Sequence, residues 1–372
     1  MSRQPVLIVF LGGMRGSAIE DVVRRALEEA ALDLLDEALA TDAFAGAVLV
    51  SDSDAIASRL PAGVELDLDR DAFHFGRRLS QVIRDRAIER PVYVGAGGVP
   101  LMRGSDLAAV ARHAGEADGV VIANNYFSAD LVAFAPGSAI ERVELPPSDN
   151  FLPRLLHDQA GLESSPLPRN SATQFNIDSP GDLALLKVAG GAGPRLARYV
   201  ETFEADLEPY RRLMLALVDP KAEVLLAGRV GSQVWSHFER ETACRMRVYS
   251  EERGMQAAGR DTSGEARSIL AFQLQAAGPR RLFEQLAEMA DAAVIDTRPL
   301  LAHLGAGGSR ADRFWSDLRC PDRIEEAFLR ELTQAAVEAP IPVLLGGHSL
   351  VAGGLMLLTD AAWREEDQRL EG

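Results

Sequence analysis

Cysteine is nearly absent: Cys244 and Cys320 are the only two in 372 residues. That excludes a disulfide framework and a cysteine zinc site, and a reducing cytoplasm is the simplest setting. Long apolar runs are lacking as well. The opening MSRQPVLIVFLGG contains an apolar run of only about seven residues that feeds a glycine turn, which suits a buried strand better than a secretory segment. No later run approaches the roughly 20 residues needed to cross a bilayer, so no membrane association is expected. Basic residues are outnumbered, 39 Lys and Arg against 55 Asp and Glu, for a formal charge of −16. This argues against a nucleic-acid partner, because phosphate backbones need concentrated positive charge. A local basic pocket for a nucleotide or another small phosphorylated substrate is still compatible with it. Fixed-period repeats and low-complexity segments are also missing.

What is present is ordinary globular material: 47% hydrophobic and 25% charged residues, in a chain long enough for two domains. The first half alternates β-rich runs with helical patterns, the mark of an α/β fold. PVLIVFL, GAVLVS, RPVYVGAG and GVVIAN read as strands, DLVAFAP and AIERVELP as later ones. AIEDVVRRALEEAALDLLDEALA, RDAFHFGRRLSQVIRDRAI and GSDLAAVARHA carry helical spacing. The acidic run ELDLDRD at 65–71 reads as a solvated turn.

The stretch TQFNIDSPGDLALL, residues 173–186, is a junction. Ser179 reads as an N-cap, Pro180 as the first helical residue and Asp182 as the acidic member of a capping box. Ahead of it a strand is expected over 174–177, so Asn176 and Asp178 project from its end, where Asp178 either presents a polar group to a ligand or only caps the turn. The glycine-rich break KVAGGAGPRL follows at 187–196 and gives the expected boundary: one domain over 1–192, a second over 197–372.

Polar groups gather at several strand ends. LGGMRGS puts Gly12, Gly13 and Gly16 with Arg15 between a strand and a helix, where backbone N–H groups can face phosphate; a plain tight turn is the alternative. Asn124, Asn125 and Tyr126 follow another strand, and Asp149, Asn150 and Arg154 stand near a helix start, with Arg169 beyond. These read as a substrate pocket or as turn formers. In the second half, Arg229 and Ser232, Glu251, Glu252 and Arg253, Asp296 and Arg298, and His348 and Ser349 each close a strand pattern. Carboxyl ends of strands in an open α/β sheet are where ligands bind, so these groups are expected to share a second site. His348 suits acid–base work or phosphate binding, or a hydrogen-bonded turn; Ser349 lacks the spacing of a hydrolase nucleophile. Arg253, Arg260 and Arg298 suit a phosphate or carboxylate clamp. Asp296, Asp317, His303 and His237 are metal-ligand types without diagnostic spacing.

Three ordered pieces over about residues 5–190 resemble nucleotidyltransferases of the GT-A type, such as molybdenum-cofactor cytidylyltransferases and 2-phospho-lactate guanylyltransferases. LGGMRGS is similar to their nucleotide-binding loop. Gly98, Val99, Pro100, Leu101 and Met102 with Asp106 and Leu107 match a turn that normally starts with an aspartate. Asn176, Asp178, Ser179, Pro180, Asp182 and Leu183 match the closing motif. The resemblance implies a GT-A (Rossmann-like) domain followed by a second α/β domain, and transfer of a nucleotidyl group from an NTP to a small phosphorylated acceptor. It implies Mg²⁺ held by Asn176 and Asp178, a triphosphate cradled by Gly12, Gly13 and Gly16, and Arg15 and Asp178 as catalytic groups; His348, in the second domain and outside the resemblance, is the other catalytic candidate. Two departures stand out: the family's aspartate is Gly98, and the lysine after the glycine loop is absent, although Arg24 and Arg25 follow. Either Asp52, Asp54 or Asp149 helps hold the metal, or the fold is a degenerate, non-catalytic transferase used for ligand binding, regulation or assembly, with any chemistry in the second domain. Self-association is left open.

Overall fold

Val6–Leu11, VLIVFL, is almost uniformly buried and apolar, as a strand covered on both faces must be, and it forms β1 at the middle of a sheet. In the computed structural model, which describes residues 4–371, this sheet has seven strands in the order β3-β2-β1-β4-β6-β5-β7. They are β1, β2 (Gly46–Ser51), β3 (Val64–Leu68), β4 (Pro91–Gly95), β5 (Val120–Ala123), β6 (Leu131–Ala135) and β7 (Glu163–Pro166). β6 runs antiparallel to both β4 and β5, and the other pairings are parallel. Helices α1 (Ala18–Leu39), α2 (Phe75–Asp85), α3 (Gly104–Glu116) and α4 (Leu152–Asp158) join them, and the short α5 (Ser171–Gln174) follows β7. One face of the sheet is sealed by Phe10, Phe75, Tyr93 and Phe134 with Leu79, Ile83, Ile140 and Leu152. Phe10, Phe75 and Tyr93 meet edge to face, the geometry ring quadrupoles favour.

The chain divides into two compact units. The first comprises residues up to 14, 24–176 and 192–196; the second comprises 15–23, 177–191 and 197 onward. In the second unit a parallel four-stranded sheet has the order β11-β10-β8-β9, with β8 (Glu223–Gly228), β9 (Arg245–Ser250), β10 (Ala292–Asp296) and β11 (Val343–Gly346). The remaining helices are α6 (Pro180–Ala189), α7 (Pro194–Glu201), α8 (Glu208–Leu217), α9 (Ser232–Glu241), α10 (Ile269–Ala277), α11 (Pro279–Ala287), α12 (Thr297–Leu304), α13 (Arg310–Asp317), α14 (Ala327–Val337) and α15 (Leu355–Glu371). Leu225, Ile295 and Leu345 from three strands pack with Leu282, Phe283, Leu329 and Leu332 from α11 and α14.

The capping reading at 179–182 holds: Ser179 is the N-cap, Pro180 opens α6, and Ser179 and Asp182 form the reciprocal box. Three local readings change. The strand expected over 174–177 is absent, because Asn170 caps the short α5 through the Thr173 N–H at 3.1 Å and Thr173 Oγ1 donates to the Pro168 carbonyl at 2.5 Å. Such side-chain bonds compete directly with a strand ladder. AIERVELP makes a 3₁₀ turn over Gly137–Arg142, since the chain must fold back where the Gly137 N–H donates to the Glu89 carbonyl at 2.7 Å. The acidic run at 65–71 is β3 in its first half, with Asp67 and Asp69 paired to the largely buried Arg78.

Candidate functional site

In the first unit the polar groups organise around a residue that the sequence reading passed over, Asp130. It immediately precedes β6, whose antiparallel pairing with β4 sets Leu131 opposite Val94. The Gly95 N–H donates to the Asp130 carbonyl at 2.9 Å. A side chain at Gly98 would put its Cβ 2.6 Å from the Asp130 Cβ, closer than real carbon contacts allow. A side chain at 98 would therefore collide with Asp130, which stands beside this turn at the start of the neighbouring strand.

Asn124 holds it. This buried amide accepts the N–H groups of Asp130 and Leu131, both at 3.1 Å, and donates to the Asp130 carboxylate at 3.2 Å and the Thr173 carbonyl at 2.9 Å. The Asn176 amide reaches the other carboxylate oxygen at 3.5 Å. Tyr93 lies fully buried beneath, its hydroxyl bonded to Asp149; burial, then the Asp149 and Asp130 charges, raise its pKa well above the phenolic value. Asp130, Asp149, Asn124 and Asn176 thus form one cluster. Asn125, Asn150 and Arg154 have local duties: the Asn125 side-chain Oδ1 accepts the Phe127 N–H at 3.1 Å, the Asn150 amide donates to Ser148 Oγ at 3.2 Å, and Arg154 pairs with Asp158 at 3.1 Å. In the glycine loop, Gly13 has a positive φ of 83°, and its N–H donates to the Asp52 carboxylate at 3.3 Å. That N–H faces an anion, though the anion is the protein's own.

In the second unit the strand-end groups come together. From β8 the chain goes to β9 on one side and returns to β10 on the other, so the order reverses between β8 and β10, where open α/β sheets hold ligands. Asp296 closes β10 there. It accepts Arg229 Nε at 2.5 Å, Arg229 Nη2 at 3.1 Å, and the backbone N–H groups of Arg229 and Arg298 at 3.3 and 3.1 Å. Burial alone would raise its pKa, but the Arg229 guanidinium outweighs it and the carboxyl is held low. Gly228 beside it, at φ 121°, has no room for a Cβ against Asp296. Arg298 makes a second fork, at 3.0 and 2.6 Å, to the fully buried Asp317.

His348, half-buried after β11, makes no hydrogen bond among the described residues. Burial first and Arg229 next lower its pKa, while Asp296 and Asp178 pull the other way and Arg253 adds to the lowering. Asp178 and Asp182 belong to this unit too. Asp182 is buried, accepts the N–H groups of Asp178 and Ser179 at 2.9 and 2.8 Å, and is pushed up to about 7 by burial and the Asp178 charge despite those bonds and the Ser349 hydroxyl. Glu251 accepts the Ile269 N–H at 3.0 Å and so anchors the start of α10, and Glu252 pairs with Arg260 at 2.8 Å. His303 accepts the Ser268 N–H at 3.0 Å. Gly16 and Arg15, both exposed, also lie in this unit. Among the described residues no three His, Cys, Asp or Glu side chains gather as a metal cluster.

No protein-family model and no curated protein matches the chain. Solved structures of nucleotidyltransferases resemble about half of it. A protein of Desulfovibrio desulfuricans G20 described as a nucleotide-diphospho-sugar transferase matches at 14% identity and a TM-score of 0.40, over 54% of this chain and 95% of its own. A cytidylyltransferase from Leptospira borgpetersenii matches at 16% and 0.38, over 50% and 86%. A CMP:2-keto-3-deoxy-manno-octonic acid synthetase complexed with CTP matches at 14% and 0.33, over 48% and 95%. At these scores the likeness says nothing of the chemistry at the two polar clusters. No described helix is long and apolar enough to cross a membrane.

Proposed function

We propose that the chain is a nucleotidyltransferase that joins the nucleotidyl group of an NTP to a small phosphorylated acceptor in its first unit, with a second ligand-handling α/β unit fused to it. The observation that carries this is Asp130 filling the space over Gly98, because it supplies the carboxylate the resemblance had lost. Magnesium prefers hard oxygen ligands and is commonly held by only one or two carboxylates together with substrate phosphates. Asp130 and Asp149, with the Asn124 and Asn176 amides ordering Asp130, offer such a donor set, so the residues fit the ion. When bound, Mg²⁺ would offset the charge on the triphosphate and the departing pyrophosphate.

The protein's own part is positioning. The Gly12–Gly13 backbone lets phosphate oxygens approach closely, and Asn124 fixes the carboxylate before the substrate arrives. Measured pyrophosphate release from NTPs with Mg²⁺ and a panel of phosphorylated acceptors tests the reading; release with at least one pair is expected. No release from any pair, together with no NTP binding, would remove it.

The Asp52 carboxylate on the Gly13 N–H favours a second reading, a transferase fold that has become a regulated binder. A phosphate must displace that carboxylate, so Asp52→Asn is expected to tighten triphosphate binding by about 3- to 10-fold, the effect of about 1 kcal/mol of relieved like-charge contact. Calorimetry on both forms reads it, and weaker binding by the variant would show instead that Asp52 serves the ligand.

A further inference from the structure

In the second unit the charges at the sheet's reversal point are unevenly satisfied. Arg229 is spent on Asp296 and Arg298 on Asp317, both in two-pronged pairs. Two groups are not spent. Among the described residues, Arg253, exposed in the loop after β9, has no hydrogen-bond or ion-pair partner and His348 has no hydrogen bond; Arg253, like Arg229 and Asp296, acts electrostatically on His348. Arg253 reaches the turn between β8 and α9: a Cβ built at Gly231 would sit 3.8 Å from its Nη2. Gly231 is the N-cap of the ten-residue α9, and no side chain caps that helix. The first turn of α9 and the Arg253 guanidinium therefore lie side by side, with the His348 imidazole in electrostatic range of Arg253, at the β8–β10 reversal where an open α/β sheet forms its crevice.

We propose that this crevice binds the phosphate of a small phosphomonoester. The buried Arg229–Asp296 and Arg298–Asp317 pairs contribute rigidity and no net charge. Arg253 and the start of α9 supply the attraction, as forked guanidinium donors and helix N-termini do for phosphate. His348 adds a donor to a phosphate oxygen when protonated, and an acceptor for a hydroxyl when neutral. Asp178, exposed and also acting on His348, repels a bare phosphate but accepts hydroxyls, so a phosphate with a hydroxylated body fits better than the inorganic ion. The site belongs to the second unit alone and does not depend on the reading of the first.

The test uses the full chain. Inorganic phosphate and glycerol phosphate are titrated while the imidazole signals are followed by NMR, His348 being assigned through the His348→Gln variant. Both probes are expected to move the His348 signal, with glycerol phosphate acting at lower concentration. Arg253→Gln, an exposed change that leaves the fold alone, is expected to weaken both by about tenfold, the value of one charged hydrogen-bonding contact. An unmoved His348 signal would overturn the proposal, as would equal binding by Arg253→Gln. Acetate matching phosphate would overturn the phosphate assignment. Asp130→Asn should leave the His348 response intact, and its loss in that variant would also contradict the independence of this site.

Discussion

Two side chains, Asp130 and Asp182, carry most of what is unusual at the residue scale. In the proposed reading Asp130 replaces the missing motif residue in space rather than in sequence: the clue was an acid just before the apolar run LVAFA, but only the β4–β6 pairing brings it beside Gly98. Asp182 was read from sequence as a capping acid, and it is one. What the sequence could not convey is its burial, which lifts its pKa from 3.8 to about 7. A carboxyl raised in the folded state stabilises in full below its unfolded value, and that contribution is lost as pH climbs through the folded value. Between about pH 4 and 7 this costs the protein on the order of 4 kcal/mol. His348 works in the opposite sense: its lowered pKa makes stability rise with pH up to its unfolded value near 6.5. The two partly cancel in the wild type, so the informative quantity is the difference from a variant. Asp182→Asn keeps an acceptor for the two N–H groups and removes the charge. Urea unfolding across about pH 4–8 should show the variant gaining relative to the wild type as pH rises, and parallel pH profiles would contradict the assignment.

At the scale of elements, the parts fixed by local chemistry were legible and those fixed by distant partners were not. Buried strands such as VLIVFL and the Ser179–Asp182 helix start announce themselves, because burial on both faces demands continuous apolar residues and a cap needs only its own turn. The stretch at 174–177 has strand-like residues but is held by Asn170 and Thr173 next door, and 137–142 bends because Gly137 is tied to Glu89 in a different element. The Gly98 turn belongs to this scale as well. Restoring the family's acid by Gly98→Asp is expected to lower stability by about 1–3 kcal/mol, the usual range for overpacking, since the Asp130 Cβ and carbonyl already stand 2.6 and 3.0 Å from where its Cβ would go. Chemical denaturation measures this, and a variant as stable as the wild type would mean that the turn has space the geometry denies.

For the whole molecule, alternation of strands and helices predicted an α/β chain with a further α/β part, and both sheets are present. The convergence of Arg229, Arg298 and His348 at one end of the second sheet followed from the rule that parallel strands point their carboxyl ends the same way. The ion-pair bookkeeping there did not: nothing in the sequence tells which arginine is consumed by Asp296 or Asp317 and which, like Arg253, is left over. The compact units also interleave, with 15–23 and 177–191 grouping with the later residues, because contacts rather than chain order decide which core a segment joins. The central claim is that Asp130 stands in for the aspartate absent at 98. The most direct measurement is calorimetric titration of NTPs, with and without Mg²⁺, into the wild type and Asp130→Asn. The account predicts Mg²⁺-dependent binding by the wild type that weakens at least about tenfold in the variant and loses its dependence on the ion; equal, equally Mg²⁺-dependent binding by both would contradict it.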